Sequence, residues 1–334
     1  MAREELLDAV GGLMMLSWEG RELDEVLTLI RTFRPAGVIF FERNYPAGGP
    51  EALREILGQA QLTARGELGR PLLTAIDYEG GSVKRLPPPF RRPPAARKLA
   101  REGPQAVEAA AQAAAAELNG CGFNLNLAPV LDVGGADGPL GSRTFAEDPQ
   151  AVAACGLAWL RGCRRGGALA CGKHFPGLGP AKLDTHAELP TVEGDREKLA
   201  AGLAPFQALV AAGLKLIMTN HAFYPGLDAL RPTTFSPLAV GLLKDDLGFE
   251  GLTLSDDLGM GAVTGRWSSA QAAAEAAAAG HDLLLVGRGA ETALASREAL
   301  LAAVEAGRLT AERLADARRR LERIWAALAT LEVH

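Results

Sequence analysis

The sequence predicts an α/β protein folded as one (β/α)8 barrel, the TIM-barrel architecture. Short apolar runs alternate with longer helical patterns along the chain, and eight such runs can be counted. Ionisable side chains follow several of these runs, as they do at the strand ends of barrels. The chain has 334 residues, 48% of them hydrophobic and 22% charged, which is typical of globular proteins. Because barrels of this length form one domain, we expect residues 1–334 to be a single domain.

The eight apolar runs are the predicted strands, and a helical pattern follows each of them. The alternation as a whole is stronger evidence for these strands than any single run. The predicted strands are residues 13–18, 37–41, 72–76, 123–127, 169–172, 214–219, 252–255 and 282–286.

The predicted helices fill the intervals and the C-terminal part of the chain. Pro104 and Pro149 stand where the first residue of a helix would be, and Gly213 and Gly280 stand where a helix would end. The predicted helices are residues 23–33, 50–63, 104–119, 149–164, 197–212, 237–247, 270–279, 290–306 and 310–331.

Polar residues cluster where the predicted strands end. In a barrel these positions share one rim, where active sites are built, so the sequence predicts a site there. The rim positions are Asp77 and Glu79 after the third strand, Asp132 after the fourth, Lys173 and His174 at the fifth, Asn220 and His221 at the sixth, and Asp256 and Asp257 at the seventh.

Composition argues against several other classes of protein. The net charge of −5 gives no basic surface for nucleic acid, and no apolar run reaches the roughly 18 residues of a membrane span. The acidic N-terminus does not resemble a secretory signal, so we expect a cytoplasmic protein, and a monomer. The four cysteines include no CxxC pair and are expected to be buried small hydrophobes. HExxH, GxGxxG and Walker motifs are missing from the sequence, so we expect neither a metal nor a nucleotide cofactor.

Two groups of residues are candidates for proton transfer or nucleophilic attack. Asp256 ends a predicted strand and can act as nucleophile, base or metal ligand, whereas Asp257 is equally explained as a helix N-cap. Adjacent strand residues point to opposite sides, so we expect only one of the two in the pocket. Asp184 and His186 can form a carboxylate–imidazole pair, although an exposed loop histidine is the simpler interpretation of that pair alone.

Lys173 has two functional interpretations that the residues themselves leave open. It can form a Schiff base, as in lyases, or donate hydrogen bonds to a polyhydroxylated ligand. Asp77, Arg85 and Arg143 add polar groups on the same rim, although surface salt bridges would equally explain the arginines.

Seven segments, in order, resemble motifs of glycoside hydrolase family 3, and specifically its single-domain bacterial β-N-acetylhexosaminidases. Together they cover nearly the whole chain, which makes the set far more specific than one motif. The segments are DYEGGSVKR at 77–85, NLAPVLDV at 126–133, GSRTFAEDP at 141–149, KHFPGLG at 173–179, LDTHAELP at 183–190, MTNH at 218–221 and SDDLGM at 255–260.

The resemblance implies a TIM-barrel catalytic domain and a role for each matching residue. It implies that Asp256 is the nucleophile, His186 the acid/base and Asp184 its partner. It also implies a cofactor-free enzyme that releases terminal N-acetylglucosamine from peptidoglycan fragments during cell-wall recycling. The positions that match the sugar-binding residues of the family are Asp77, Arg85, Arg143, Lys173 and His174.

Two residues depart from the family pattern, in the loop that carries His186. Leu178 stands where the motif has His, and Pro180 where it usually has Asp. One alternative is therefore a catalytically impaired barrel that binds N-acetylglucosamine. Another is a relative acting on β-glucosides, although Asp184 and His186 argue against it. A Schiff-base lyase on Lys173 is the third.

Overall fold

The computed structural model describes residues 2–179, 189–192 and 196–331, with only the backbone given for residues 196 and 197. Its central feature is a parallel sheet of eight strands, as predicted, and a two-stranded hairpin follows the third of them. The strands are β1 Met14–Leu16, β2 Gly37–Phe40, β3 Leu73–Ile76, the hairpin strands β4 Tyr78–Gly80 and β5 Val83–Lys84, β6 Leu125–Asn126, β7 Leu169–Phe175, β8 Leu216–Thr219, β9 Leu252–Ser255 and β10 Leu284–Val286.

The sheet closes on itself and forms a barrel. Strand neighbours run in the order β10-β1-β2-β3-β6-β7-β8-β9, and every pair in this series is parallel. A parallel bridge between Leu254 and Leu283 joins the two ends of the series, where Ser255 N donates to Leu283 O at 3.0 Å. Closure removes the sheet edges and brings all strand C-termini to one rim. The predicted fold class is confirmed.

Helices surround the barrel and follow the predicted pattern closely. Leu23–Phe33 matches its prediction, and most other ends differ by one or two residues. The helices are α1 Arg3–Gly11, α2 Leu23–Phe33, α3 Gly49–Leu68, α4 Ala96–Glu102, α5 Pro104–Gly120, α6 Pro149–Arg165, α7 Arg196–Ala211, α8 Pro237–Gly241, α9 Gly261–Thr264, α10 Ser269–Ala279, α11 Gly289–Glu305 and α12 Ala311–Leu331. None of these helices is long and apolar enough to cross a membrane.

The larger differences from prediction have local causes. The segment predicted as one helix over 237–247 is α8 followed by a π-helical turn, Leu242–Asp246. β7 extends three residues beyond its prediction, to Phe175, because Lys173 and His174 continue the strand despite their polar side chains. An irregularity in the β7–β8 register lies between Lys173 and Phe175, at the rim. That residues 1–334 make one catalytic domain stays a prediction.

Alternate strand residues fill the barrel interior. Met15 lies inside, whereas its neighbours Met14 and Leu16 pack outward in a cluster with residues of α2 and α3. This alternation is the two-residue period of a strand buried on both faces. The interior cluster contains the strand residues Met15, Ile39, Leu73, Ala75, Leu125, Leu169, Cys171, Leu216, Met218, Leu252, Leu254 and Leu285, together with Leu127 and Leu283, which adjoin β6 and β10.

The cysteines are free and buried, as predicted from their spacing. Burial raises the pKa of the Cys171 and Cys163 thiols to about 12, so these side chains are protonated at neutral pH. They serve as small apolar groups in the core.

The C-terminal helix α12 covers the N-terminal end of the barrel, opposite the rim. Its buried residues Leu321, Ile324 and Leu328 belong to the same cluster as the barrel interior. Arg320 NH1 donates to the carbonyls of Phe249 and Gly251, just before β9 begins. The helix therefore closes the core from below and leaves the opposite rim open for a ligand.

We predict that Ile324→Ala lowers the free energy of unfolding by about 2–5 kcal/mol, because it leaves a cavity under the barrel. Denaturant unfolding measures this loss. Arg323→Ala is the matched control on the same helix, since that side chain is 59% exposed and should cost less than about 1 kcal/mol. Equal losses in the two variants would contradict the role assigned to α12.

Candidate active site

A cavity of about 330 Å3 opens at the rim formed by the C-terminal ends of the strands. Its floor is apolar and belongs to the barrel interior, and its wall is polar and comes from the strand ends. Eight of the residues that the sequence placed at the site line it, namely Asp77, Glu79, Arg85, Arg143, Lys173, His174, Asp256 and Asp257. The predicted rim site is thus a real concavity, and it joins residues that lie far apart in the chain.

A buried lysine lies at the centre of the polar wall. Lys173 Nζ lies 2.8 Å from Asp77 Oδ1 and 2.7 Å from Glu79 Oε1, and its side chain is 3% exposed. Arg143 donates two hydrogen bonds to the Glu79 carboxylate, at 2.8 and 2.9 Å. Arg85 NH2 lies 3.5 Å from Asp77 Oδ2. The two carboxylates and three cations form one network, called the Lys173 cluster below.

The ionisation of the Lys173 cluster follows from its pairing. Burial by itself would raise the pKa of the carboxyls, but the charge of Lys173, together with Arg85 at Asp77 and Arg143 at Glu79, lowers both. Burial would likewise lower the pKa of Lys173, and Asp77 and Glu79 raise it above its ordinary value. All these groups are therefore charged at neutral pH.

The charge of Lys173 bears on the Schiff-base alternative. A protonated ammonium has no lone pair with which to attack a carbonyl carbon, and a Schiff-base lysine needs a lowered pKa. The pKa of Lys173 is shifted in the opposite direction. The geometry therefore favours the second interpretation, in which Lys173 donates hydrogen bonds to a ligand.

His174 is oriented by Asp132, which the sequence placed on the rim without a role. Its Nδ1 lies 2.7 Å from Asp132 Oδ2, and its backbone N donates to the same oxygen at 3.1 Å. The other oxygen of Asp132 accepts from Leu178 N at 2.6 Å. One buried carboxylate thus fixes both the imidazole and the chain that leaves β7, and Nε2 is the ring nitrogen left for a ligand.

Both aspartates at the end of β9 line the cavity, so the expectation that only one would do so is wrong. They differ in their bonds. Asp257 Oδ1 accepts from the amides of Gly259 and Gly287, at 2.8 and 3.0 Å, and therefore ties the loop after β9 to the loop after β10. The alternative that Asp257 is a helix N-cap is wrong, because α9 begins later and Met260 holds its N-cap position. Burial raises the pKa of Asp257.

Asp256 accepts fewer hydrogen bonds than Asp257 does. Its Oδ1 accepts one hydrogen bond, from Asp257 N at 2.8 Å, and Oδ2 accepts none from the described residues. Its backbone N donates to Thr219 O at 3.2 Å, which continues the pairing with β8. Asp256 therefore presents a carboxylate oxygen from a fixed strand end.

His221 supports the end of β9 from outside the cavity. It is 1% exposed and does not line the cavity. Its Nε2 donates to Asp257 O at 3.0 Å, and its Nδ1 lies 2.6 Å from Thr234 Oγ1. Burial lowers the pKa of the imidazole. A neutral histidine thus holds the backbone next to Asp256.

The segment 222–224 anchors both flanks of the loop that carries the predicted acid/base. Tyr224 OH donates to Gly177 O at 2.7 Å on one flank, and Phe223 exchanges backbone hydrogen bonds with Pro190 and Val192 on the other. Leu178, where the family motif has His, is 2% exposed and packs against Ala222 and Tyr224. The leucine that replaces the histidine of the family motif is therefore buried in an apolar contact. Asp184, His186 and Pro180 lie outside the described residues.

The sequence indicated which residues lie on the rim, but not which of them pair with one another. Glu79 and Asp132 were noted on the rim, yet their roles depend on partners 94 and 42 residues away in the chain. The signal that was available is electrostatic, because Lys173, Arg85 and Arg143 on one rim require more than the single carboxylate of Asp77. Among the described residues, no three His, Cys, Asp or Glu side chains are grouped as metal ligands would be.

Comparison with known proteins agrees with this geometry. Residues 6–324 match the family described as Glycosyl hydrolase family 3 N terminal domain. The beta-hexosaminidase of Alkalilimnicola ehrlichii is 39% identical over 286 residues, which are 82% of this chain and 80% of that protein. The beta-hexosaminidase of Neisseria meningitidis serogroup C is 36% identical over 261 residues, covering 75% and 70% of the two chains.

Solved structures give the same relationship. A glycoside hydrolase family 3 beta-N-acetylglucosaminidase from Paenibacillus superposes with a TM-score of 0.92 at 34% identity, covering 98% of this chain and 63% of that one. NagZ from Neisseria gonorrhoeae, in complex with N-trifluoroacetyl-D-glucosamine, superposes with a TM-score of 0.78 at 29% identity, covering 93% and 97% of the two chains.

We predict that Glu79→Gln lowers the unfolding free energy at pH 7 by about 3 kcal/mol, because it leaves buried cations short of a carboxylate. The folded-state pKa of Glu79 is lowered, so its stabilisation is present above the unfolded pKa of about 4.3 and is lost as pH falls toward the folded value. Denaturant unfolding between pH 7 and pH 3 should therefore show a shallower acid decline in the variant. The exposed Glu102→Gln is the control, and identical pH profiles for all three proteins would refute the pairing.

Proposed function

This chain belongs to glycosyl hydrolase family 3 and is a glycoside hydrolase of the β-N-acetylhexosaminidase kind, and we propose that it removes terminal N-acetylglucosamine from peptidoglycan fragments with retention of configuration. The observation that carries the proposal is one cavity lined both by Asp256, whose Oδ2 accepts no hydrogen bond from the described residues, and by the Lys173 cluster. One side can attack an anomeric carbon while the other holds the hydroxyls of the sugar.

The Lys173 cluster suits the recognition of sugar hydroxyls. Ammonium and guanidinium groups donate hydrogen bonds, and carboxylates accept them, so a hydroxyl can be met in both of its roles. Each charged group is already fixed by a partner, for example Lys173 by Asp77 and Glu79. A sugar would therefore bind without the cost of ordering long side chains.

Asp256 is the proposed nucleophile. Its free oxygen attacks the anomeric carbon while the bond to the leaving oxygen breaks, and an α-linked glycosyl ester forms. Water then attacks the same carbon, gives one proton to the base and releases Asp256, so the β-configuration returns. Asp257 is less suited, because two backbone amides already occupy one of its oxygens.

His186 is the proposed acid/base, with Asp184 as its partner. Its ordinary pKa of about 6.5 suits donation to the leaving oxygen and later removal of a proton from water. Most retaining enzymes use two carboxylates about 5–5.5 Å apart, and here an imidazole would take the place of one. The flanking residues Gly177 and Pro190 support this assignment, since both are bonded to the segment 222–224, which follows β8 at the rim.

The substrate class is inferred from relatives together with the site. The relatives are named beta-hexosaminidases, and one is seen with an N-acylated glucosamine. We propose that the acetamido sugar comes from the cell wall and that the enzyme acts in its recycling. This role fits a location in the cytoplasm, and we propose that the enzyme acts there as a monomer. The buried fit of Leu178 argues against the impaired-barrel alternative, because the altered loop flank packs without an unpaired polar group.

The direct test compares an aryl N-acetyl-β-glucosaminide with the matching β-glucoside, in the wild type and in His186→Ala. We predict that the wild type prefers the acetamido sugar by roughly 10²-fold or more. His186→Ala should lose roughly 10²–10⁴ in kcat/KM on substrates with poor leaving groups and much less on those with good ones. Steady-state kinetics over a leaving-group series measures both effects.

Each other outcome supports a different conclusion. Equal rates on the two sugars would favour a glucosidase. Binding of N-acetylglucosamine without turnover would favour the impaired barrel. A uniform loss in His186→Ala, independent of the leaving group, would overturn the acid/base assignment while leaving hydrolysis intact.

A further inference from the structure

Asp132 is a rim carboxylate that lies just outside the cavity, next to a residue that lines it. Its side chain is buried, and it does not line the cavity itself. Val130 forms a parallel bridge with Lys173, and Lys173 N donates to Pro129 O at 3.0 Å, so the pairing with β7 continues beyond the end of β6. This continued pairing brings Asp132 beside His174, which lines the cavity. None of the roles proposed above assigns a function to Asp132.

The carboxylate of Asp132 is fixed by the backbone that follows β7. Oδ1 accepts from Leu178 N at 2.6 Å, and Oδ2 accepts from His174 N at 3.1 Å. The backbone of this segment is held in turn, because His174 O accepts from Gly177 N at 2.8 Å and from Asn220 Nδ2 at 3.2 Å. The remaining contact joins Oδ2 to Nδ1 of His174 at 2.7 Å. A fixed carboxylate therefore holds one particular nitrogen of the imidazole.

The charge balance of the cavity wall indicates that Asp132 is ionised. The Lys173 cluster contains three cations and two carboxylates, which leaves one positive charge without a partner. Burial would lower the pKa of Arg143, and the charges of Glu79, Asp132 and Asp77 raise it above its ordinary value. Asp132 thus supplies the third carboxylate, and the wall has no net charge when His174 is neutral.

The position of the His174 proton follows from this pairing. An ionised carboxylate can only accept a hydrogen bond, so Nδ1 has to donate to Asp132. A neutral imidazole has one N–H, and Nε2 is then left with a lone pair and no hydrogen. Nε2 has no partner among the described residues, and the ring lines the cavity. In the cavity, His174 can therefore accept a hydrogen bond but cannot donate one.

We propose that Asp132 is a positioning residue that keeps the proton of His174 on Nδ1, so that Nε2 accepts a hydrogen bond from one hydroxyl of the bound sugar. The identity of the ligand rests on the proposed function. The inference goes beyond that function by assigning a role to Asp132 and a direction to one hydrogen bond. A site that requires a donor discriminates against an analogue in which the hydroxyl hydrogen is missing.

The test measures competitive inhibition by N-acetylglucosamine and by analogues in which the C3, C4 or C6 hydroxyl is replaced by hydrogen or by fluorine. The hydroxyl that meets His174 is the one whose replacement by hydrogen weakens inhibition of the wild type but not of His174→Ala. At that position we expect both replacements to raise the inhibition constant roughly tenfold, because a C–F group cannot donate a hydrogen bond. A fluorine analogue that binds as well as the parent sugar, or the absence of any such position, would overturn the inference.

Asp132→Asn removes the charge with little change of shape. Its amide has one oxygen, so it cannot accept both from Leu178 N and from the ring of His174. The variant no longer fixes the proton on Nδ1, and we expect the penalty for fluorine to fall to about threefold or less. The 15N spectrum of His174 in the wild type measures the proton directly and does not depend on any variant. A protonated Nε2 in that spectrum would contradict the inference.

Glu147→Gln is the matched control, because it removes one carboxylate charge from the same rim. Glu147 is 74% exposed and lies 3.9 Å from Arg97, away from His174. It should keep the wild-type penalty for fluorine, and an equal reduction in this variant would overturn the role of Asp132. Failure of the wild type to hydrolyse an aryl N-acetyl-β-glucosaminide would instead overturn the proposed function, and the 15N spectrum would still locate the proton.

Discussion

The buried ammonium of Lys173 is the interaction on which the rest of the site depends. Its charge cannot be left unpaired in the protein interior, so Asp77 and Glu79 must both reach it. Glu79 in turn holds Arg143, and Asp77 lies beside Arg85. One desolvated charge therefore draws together the ends of two strands and two long loops, and a rim of separate segments becomes one rigid wall.

The same arrangement recurs around the rim. A polar residue at the end of one strand fixes a residue at the end of the next strand. Asp132, after β6, orients His174 at the end of β7. His221, after β8, holds the backbone of Asp257 after β9, and Asp257 is bonded to the loop after β10. Groups on neighbouring strands thus support one another, which is the preorganisation that a hydrolase needs for attack at a single carbon.

The fold was readable from the sequence because its determinants are local. The periodicity of residues 23–33, the prolines that begin α5 and α6 and the glycines after α7 and α10 depend on near neighbours in the chain. The barrel rule then placed the candidate side chains on one rim. The pairings of Glu79 and Asp132 were not readable, because they arise only when the sheet closes.

The behaviour of the two β9 aspartates shows the same limit. Strand alternation predicted that Asp256 and Asp257 would face opposite ways, but β9 ends at Ser255 and both residues follow it. Alternation no longer holds outside the strand, so both residues line the cavity. What separates them is their hydrogen bonding, which depends on Gly259 and Gly287 and is invisible in sequence alone.

The proposed mechanism requires that Asp256 forms a covalent bond to the sugar during turnover. The most direct measurement treats the enzyme with a fluorinated N-acetylglucosamine analogue bearing a good leaving group, which slows release of the intermediate, and locates the added mass by peptide mapping. We predict one glycosyl unit on Asp256 and no adduct in Asp256→Asn. An adduct on another residue, or substantial turnover by Asp256→Asn with no adduct at all, would contradict it and indicate attack by another residue or by the acetamido group of the substrate.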